Sequence, residues 1–193
     1  MNNNSMDNQA TALVSLTEGI LRQTDISPEV LQRMFDFASI GVEQVASTQR
    51  EYRGSSFENS CYFQVDVVQR PEFLVSQLVV VTSSRDQGWS SYPQDHGTRN
   101  GSWTWVELGT NANDERIRLV TNIHAGREWE RTETVFAQGD AILDRLRTSG
   151  TINLYTRSCF PGWNCRMNGA EVRVSWTPNV RAIAERLQQQ QQQ

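Results

Sequence analysis

The spacing of hydrophobic residues changes character near residue 54. Upstream of that point, apolar residues recur every three or four positions, which is typical of amphipathic helices. Ser27, Pro28 and Glu29 supply the side-chain cap, the first-turn proline and the acidic first turn with which many helices begin. We therefore predict a helical segment over residues 10–53, whose apolar faces are formed by Ala12, Leu13, Leu16, Ile20 and Leu21 and by Leu31, Met34, Phe35, Ala38, Val42 and Val45.

Downstream of residue 56 the hydrophobic period is two, as expected for half-buried strands. Turn residues separate seven such segments, and no helix long enough for a parallel crossover lies between them, so antiparallel pairing is expected. We predict a mainly β fold: an antiparallel β-sandwich of the jelly-roll type over residues 57–176, followed by a short C-terminal helix over 177–187. The strand segments are 62–68, 73–82, 103–108, 117–124, 129–136, 151–157 and 172–176.

The two ends of the chain are polar tracts of low complexity. Residues 1–9 are rich in Asn, and residues 188–193 are all Gln. Neither tract can bury enough apolar surface to offset the entropy lost on ordering. Both are predicted to be disordered tails.

Charge and hydropathy argue against a nucleic-acid-binding, a membrane-spanning or a secreted protein. The net charge of −4 lacks the basic excess of a nucleic-acid-binding surface. No apolar run is long enough to span a bilayer, and no secretory leader is recognisable. We therefore expect a cytoplasmic protein that binds neither nucleic acid nor membranes. All 18 basic residues are Arg, which reflects either codon bias or selection against lysine acceptors.

The three cysteines, Cys61, Cys159 and Cys165, form no repeated Cys-x-x-Cys motif. Their odd number favours free thiols in a reducing compartment, and a Cys159–Cys165 disulfide is the alternative. Together with His96 and His124 they lack the ligand spacing of a zinc site. We predict no bound metal and no cofactor.

Two segments combine aromatic with polar residues. Residues 85–105 follow the most apolar strand and form a long loop at one end of the sandwich, and residues 155–166 contain a turn at Pro161-Gly162. Loops on a rigid scaffold often carry recognition groups, and aromatic faces beside polar groups bind sugars or peptides. The alternative is that some of these tryptophans only fill the core. The predicted ligand-binding residues are Asp86, Trp89, Tyr92, Trp103, Arg157, Trp163 and Asn164.

A family resemblance is carried by three stretches: Val-Thr-Ser-Ser-Arg-Asp-Gln-Gly-Trp-Ser at 81–90, Ser-Trp-Thr-Trp at 102–105, and Ile-Asn-Leu-Tyr-Thr-Arg-Ser-Cys-Phe-Pro-Gly-Trp-Asn-Cys-Arg-Met-Asn-Gly-Ala-Glu-Val-Arg-Val at 152–174. With them, residues 57–176 resemble the galactose-binding-like jelly roll, including fungal domains of this kind, and more distantly the F-box-associated sugar-binding domain. The resemblance implies a glycan ligand held by loops at one end of the sandwich. Trp163 and Asn164 lie in a comparable closing hairpin.

The sequence as a whole favours a non-enzymatic intracellular recognition module that binds a partner protein or a glycan. No phosphate-binding glycine motif is present, His96 falls in a loop, and His124 is expected to face solvent or a cleft. Two alternatives stay open. One is a structural homo-oligomer or assembly protein that uses the N-terminal helices, and the other is a small hydrolase or transferase that pairs Cys159 with His96.

Overall fold

The computed structural model describes residues 3–111 and 115–192. Four helices and nine strands lie within these ranges, together with one 3₁₀ turn at Pro93–Asp95. In chain order they are α1 (Asn3–Gln23), α2 (Pro28–Phe37), β1 (Val42–Thr48), β2 (Tyr52–Arg53), β3 (Asn59–Asp66), β4 (Phe73–Arg85), β5 (Thr104–Gly109), β6 (Ile117–Thr121), β7 (Glu130–Ala137), α3 (Ala141–Ser149), β8 (Thr151–Ser158), β9 (Arg166–Pro178) and α4 (Val180–Gln191).

The strands form two antiparallel sheets. The first sheet has the order β1-β9-β4-β7, with the short β2 also paired to β9, and the second has the order β3-β8-β5-β6. The pairs β1–β9, β3–β8, β4–β7 and β5–β6 are nested along the chain and alternate between the sheets. The chain is therefore one long antiparallel ribbon rolled into a sandwich, which is the jelly-roll arrangement. This confirms the predicted fold class.

The core lies between the two sheets, and the strands alternate as the sequence predicts. Along each central strand, one residue in two points into this core and is almost fully buried, and some of the residues between them, such as Val79 and Tyr155, are also shielded from solvent. The inward residues include Leu78 and Val80 of β4, Val172 and Val174 of β9, Val106 and Leu108 of β5, and Ile152 and Leu154 of β8.

The N-terminal helix α1 begins at Asn3, inside the tract predicted to be a disordered tail. The prediction is wrong for the described part of that tract because Met6 and Ala10, one turn apart, give it an apolar stripe. Both side chains are buried in the main core cluster. Met1 and Asn2 lie outside the described residues.

Residues 42–53 are not helical, in contrast to the prediction. Ser39 adopts a left-handed φ of 51° just after α2. Gly41 then passes so close to Trp176 that a Cβ there would lie 1.9 Å from its carbonyl oxygen. From that point Val42–Thr48 pairs in register with β9. Val42 and Val45 are three residues apart, which fits a helical period in the sequence. Pairing with β9 overrides this local preference.

The helices α1, α2 and α4 pack beside the sandwich. The Ser27 hydroxyl caps α2 by accepting the Val30 N–H at 3.4 Å, as predicted from the sequence. Leu31 and Phe35 of α2 are buried against Val180 of α4.

The C-terminal helix differs from its predicted bounds. Thr177 and Pro178 still belong to β9, and Asn179 caps α4 by accepting the Ala182 N–H at 3.2 Å. The helix continues through Gln191, so residues 188–191 are helical rather than a tail, and Gln192 is the C-cap; Gln193 lies outside the described residues. Among the described residues, no helix combines the length and apolar character needed to cross a bilayer.

Candidate functional site

A cleft of about 610 Å³ opens at one end of the sandwich. Its walls come from the β4–β5 loop (residues 86–103), the β6–β7 loop (residues 122–129) and the β8–β9 hairpin (residues 159–165). The volume falls in the range of sites that bind small molecules. We call it the aromatic cleft; it is lined by Trp89, Tyr92, Trp103, Phe160 and Trp163 together with Gln87, Ser90, Ser91, Asp95, Gly101, His124, Pro161 and Gly162.

The rim of the aromatic cleft consists of exposed aromatic rings. Trp89 is 59% exposed, Tyr92 57% and Trp103 42%. Trp103 packs edge-on against Phe160, with ring centroids 4.7 Å apart, so the two rings hold each other in place. The structure thus brings four predicted ligand-binding residues into one cavity: the three exposed residues and Trp163.

Trp163 forms the floor of the cleft and is only 8% exposed. Beneath it lies the ring of His124, which is buried from solvent but contributes to the lining of the cleft, one of the two positions expected from the sequence. His124 lies in the β6–β7 loop, where it continues the alternation of buried residues begun by Val120 and Asn122.

Hydrogen bonds fix both nitrogens of the His124 ring. Nδ1 lies 2.9 Å from the Asn100 carbonyl oxygen, and Nε2 lies 2.6 Å from the Ser90 hydroxyl. A carbonyl oxygen only accepts, so Nδ1 carries the hydrogen, and the Ser90 hydroxyl then donates to Nε2. The Ser90 oxygen also accepts the Tyr92 N–H at 3.0 Å. His124 therefore anchors the part of the β4–β5 loop that carries the exposed aromatic rings.

Asp86 lies behind the cleft rather than in it. Its carboxylate is fully buried and accepts the backbone N–H groups of Gln87 and of Ala125, the latter at 2.8 Å. Burial raises the pKa of Asp86 from 3.8 to about 6, against the opposing effect of these two N–H donors. Asp86 thus ties the start of the β4–β5 loop to the β6–β7 loop and is not placed to touch a ligand.

Gln87 joins the β8–β9 hairpin to the β4–β5 loop. Its side-chain oxygen accepts the Asn164 N–H at 3.0 Å, and its side-chain nitrogen donates to the Trp89 carbonyl at 2.9 Å. Because the amide uses both ends in this way, it couples the β8–β9 hairpin to the backbone of an exposed cleft residue. The pattern of the sequence around Gln87 gives no signal for this role.

Asn164 and Arg157 complete the set of predicted ligand-binding residues, and neither lines the cleft. The Asn164 amide donates to the Gly162 carbonyl at 3.2 Å and so shapes the hairpin turn. Arg157 lies on the outer face of the second sheet, 3.7 Å from the Glu107 carboxylate, because its neighbours on β8 point into the core.

The enzymatic alternative pairs Cys159 with His96. No hydrogen bond in the described part of the chain joins Cys159 to His96, whose ring packs 5.6 Å from that of His124.

All three cysteines are free. Burial raises the pKa of the Cys165 thiol to about 12. Within the described ranges, no cluster of three or more His, Cys, Asp or Glu side chains is arranged to hold a metal ion.

Comparison with known proteins assigns no family. No family model matches the chain, and no curated protein is similar to it in sequence. Among solved structures, the chain is similar to one described as the structure of infectious bursal disease virus Gx strain, with 8% identity and a TM-score of 0.37. The match covers 68% of this chain and 32% of the viral one, so this chain corresponds to about a third of that protein's length. Likeness at this level carries no argument about fold or function.

Proposed function

We propose that this protein is a non-enzymatic recognition module that binds a glycan in the aromatic cleft. The observation that carries the proposal is the set of three exposed rings, Trp89, Tyr92 and Trp103, around one cavity. Exposing large apolar rings to water is unfavourable, so a cluster of them around a concavity is typical of a binding site.

Chemistry favours a sugar over a purely apolar ligand. The C–H faces of a pyranose stack on indole and phenol rings, while its hydroxyl groups need hydrogen-bonding partners. The cleft offers both, because Ser91 and Asp95 lie among the aromatic rings. The resemblance to galactose-binding-like domains points in the same direction. A peptide of a partner protein is the other ligand that such a surface suits.

The first experiment is a glycan-array screen, followed by titration calorimetry with the best hit. Trp89→Ala and Trp103→Ala should each weaken binding about tenfold or more, because each removes a stacking surface. The matched control is Phe37→Ala, which removes an aromatic ring that is 94% exposed on α2, outside the cleft. The proposal fails if both cleft variants fold and bind the hit as tightly as the control does.

Assembly into a homo-oligomer is the second candidate, favoured by one surface of α2. Leu31 and Phe35 are packed inside the protein and are unavailable for it. Val30, Met34 and Phe37, however, follow a helical spacing and are 50%, 53% and 94% exposed. If this stripe joins two copies, light scattering will show a dimer that Phe37→Glu converts to a monomer. A monomer at high micromolar concentration excludes the candidate.

A further inference from the structure

Three arginines from three neighbouring strands form a single row on the first sheet. Arg166 of β9 is directly opposite Arg53 of β2 on one side and Arg85 of β4 on the other. Directly opposite residues in antiparallel strands point to the same face. The adjacent residues in these strands, Met167 and Ser84, are fully buried, so the arginine row faces outward. Strands lie about 4.8 Å apart, so the row spans about 10 Å.

The arginine row is short of counter-charge. Among the described residues, no carboxylate oxygen lies within 4.0 Å of the three guanidinium groups, whereas some arginines elsewhere on the protein, such as Arg173 and Arg186, are in ion pairs. Like charges in directly opposite positions destabilise a sheet. The row is therefore an arrangement that the fold does not need for its own stability.

The nearby groups do not compensate for this repulsion. Glu51 and the buried Asp86 are the carboxylates that act on Arg166, and Asp86 is already bonded to two backbone N–H groups. Burial, followed by the charges of Arg53 and Arg85, lowers the pKa of Arg166 below its ordinary value. The Nε atoms of Arg166 and Arg85 are both buried, and neither has an acceptor among the described residues.

One member of the row is held in a fixed orientation. The Arg85 guanidinium lies over the Trp129 ring, 4.4 Å from its centroid, and donates to the Arg127 carbonyl oxygen. Stacking and a backbone acceptor restrict its rotamers, so it loses less entropy when it binds a ligand. A preorganised guanidinium beside two others is a suitable partner for a small dianion.

We propose that the arginine row is a binding site for a phosphate or sulfate group. The planar fork of a guanidinium matches two oxygens of such a group, and neighbouring forks can share its charge. The net charge of −4 makes a long nucleic acid a poor partner. The site is distinct from the aromatic cleft, and the proposal does not depend on glycan binding there.

The experiment measures thermal stability and affinity with inorganic pyrophosphate and sulfate, against sodium chloride at equal ionic strength. We expect both anions to raise the melting temperature and chloride to have no such effect. Arg166→Gln and Arg53→Gln should each lower the affinity about tenfold, because a charge-assisted contact is lost. Since each also relieves repulsion, the melting temperature in anion-free buffer should rise, whereas loss of a purely structural arginine would lower it.

Two controls complete the design. Arg181→Gln removes an 84% exposed arginine of α4 and should leave anion binding unchanged, as should Trp89→Ala in the cleft. Glucose 6-phosphate and glucose 6-sulfate distinguish a phosphate ester from a sulfate ester as the source of the oxyanion. Whichever of the two binds more tightly identifies the source, and either result supports the site. The proposal is overturned if neither anion stabilises the protein beyond chloride, or if both row variants bind pyrophosphate as well as the unmodified protein does.

Discussion

The imidazole of His124 lies edge-on to the indole of Trp163, with ring centroids 5.0 Å apart and an interplanar angle of 80°. This contact joins the β6–β7 loop to the β8–β9 hairpin, and the bond from Ser90 to the same imidazole adds the β4–β5 loop. The floor of the aromatic cleft therefore rests on one buried polar side chain. Three loops meet there in a fixed geometry, which reduces the entropy lost when a ligand binds.

His124→Ala should destabilise the protein by about 2–4 kcal/mol. The substitution leaves a cavity and removes the hydrogen-bonding partner of both the Ser90 hydroxyl and the Asn100 carbonyl. Urea unfolding monitored by circular dichroism measures the change. The matched control is His96→Ala, an exposed histidine of the same cleft region, which should cost no more than about 0.5 kcal/mol. Equal effects of the two substitutions would contradict the anchoring role of His124.

Asp86 should give the free energy of unfolding a characteristic dependence on pH. Its pKa is about 6 in the folded protein and 3.8 in the ordinary reference state. A raised carboxyl pKa means that folding favours the protonated form, so this contribution to stability is present below the unfolded value and is lost as the pH rises through the folded one. The free energy of unfolding of the unmodified protein should therefore lose this contribution as the pH rises through this range. Asp86→Asn has no carboxyl group at this position, so its free energy of unfolding should not contain the contribution at any pH.

The comparison must be made as a difference, because other carboxyl groups also titrate in acid. The difference in unfolding free energy between the unmodified protein and Asp86→Asn should shrink as the pH rises from about 4 to about 7. Asp144→Asn, at a side chain that is 75% exposed on α3, is the control. A difference that is constant with pH, or that grows, contradicts the pKa shift assigned to Asp86.

The thiols should differ sharply in their reaction with an alkylating reagent. Cys61 is exposed on the second sheet, whereas Cys165 is fully buried and its pKa is raised to about 12 by that burial. We expect the native protein to be modified at Cys61 and to be protected at Cys165 until it unfolds. Mass spectrometry of peptides reads out both sites. Labelling of Cys165 in the native state, or a Cys159–Cys165 disulfide in protein purified without reductant, would contradict this account.

Met6→Ala should cost about 2 kcal/mol in unfolding free energy, because the side chain is buried where α1 meets the core. Met34→Ala makes the same chemical change at a side chain that is 53% exposed on α2 and should cost less than about 0.5 kcal/mol. If the two variants are equally stable, the Asn-rich start of the chain is not packed as described.

The sandwich could be predicted from the sequence because its signal is local. Alternation along β5 and β8 marks which side chains face the core, the continuous apolar run of β4 marks a buried strand, and Pro161-Gly162 marks a turn. The first strand could not be predicted in this way. Its valines fit a helical period as well as a strand, and only the partner strand β9, more than a hundred residues away, decides between the two.

The residues of the candidate site also differ in whether the local sequence predicts them. Trp89, Tyr92 and Trp103 could be chosen from the sequence, since their loop follows an apolar strand and is rich in aromatic and polar residues. The supporting roles of Gln87 and His124 could not, because each depends on contacts between loops that are distant in the chain. Asp86 resembles a ligand-binding carboxylate by its position in the sequence, and only its burial shows that it ties loops together.

The most direct test of glycan binding in the aromatic cleft is a titration followed by the indole N–H signals in a ¹H–¹⁵N NMR spectrum. The protein has 6 tryptophans, and they provide their own control. On adding the glycan, the signals of Trp89, Trp103 and Trp163 should shift, while those of Trp105, Trp129 and Trp176 should stay in place. Shifts confined to the second group, or no shifts with a glycan that binds by calorimetry, would contradict the account.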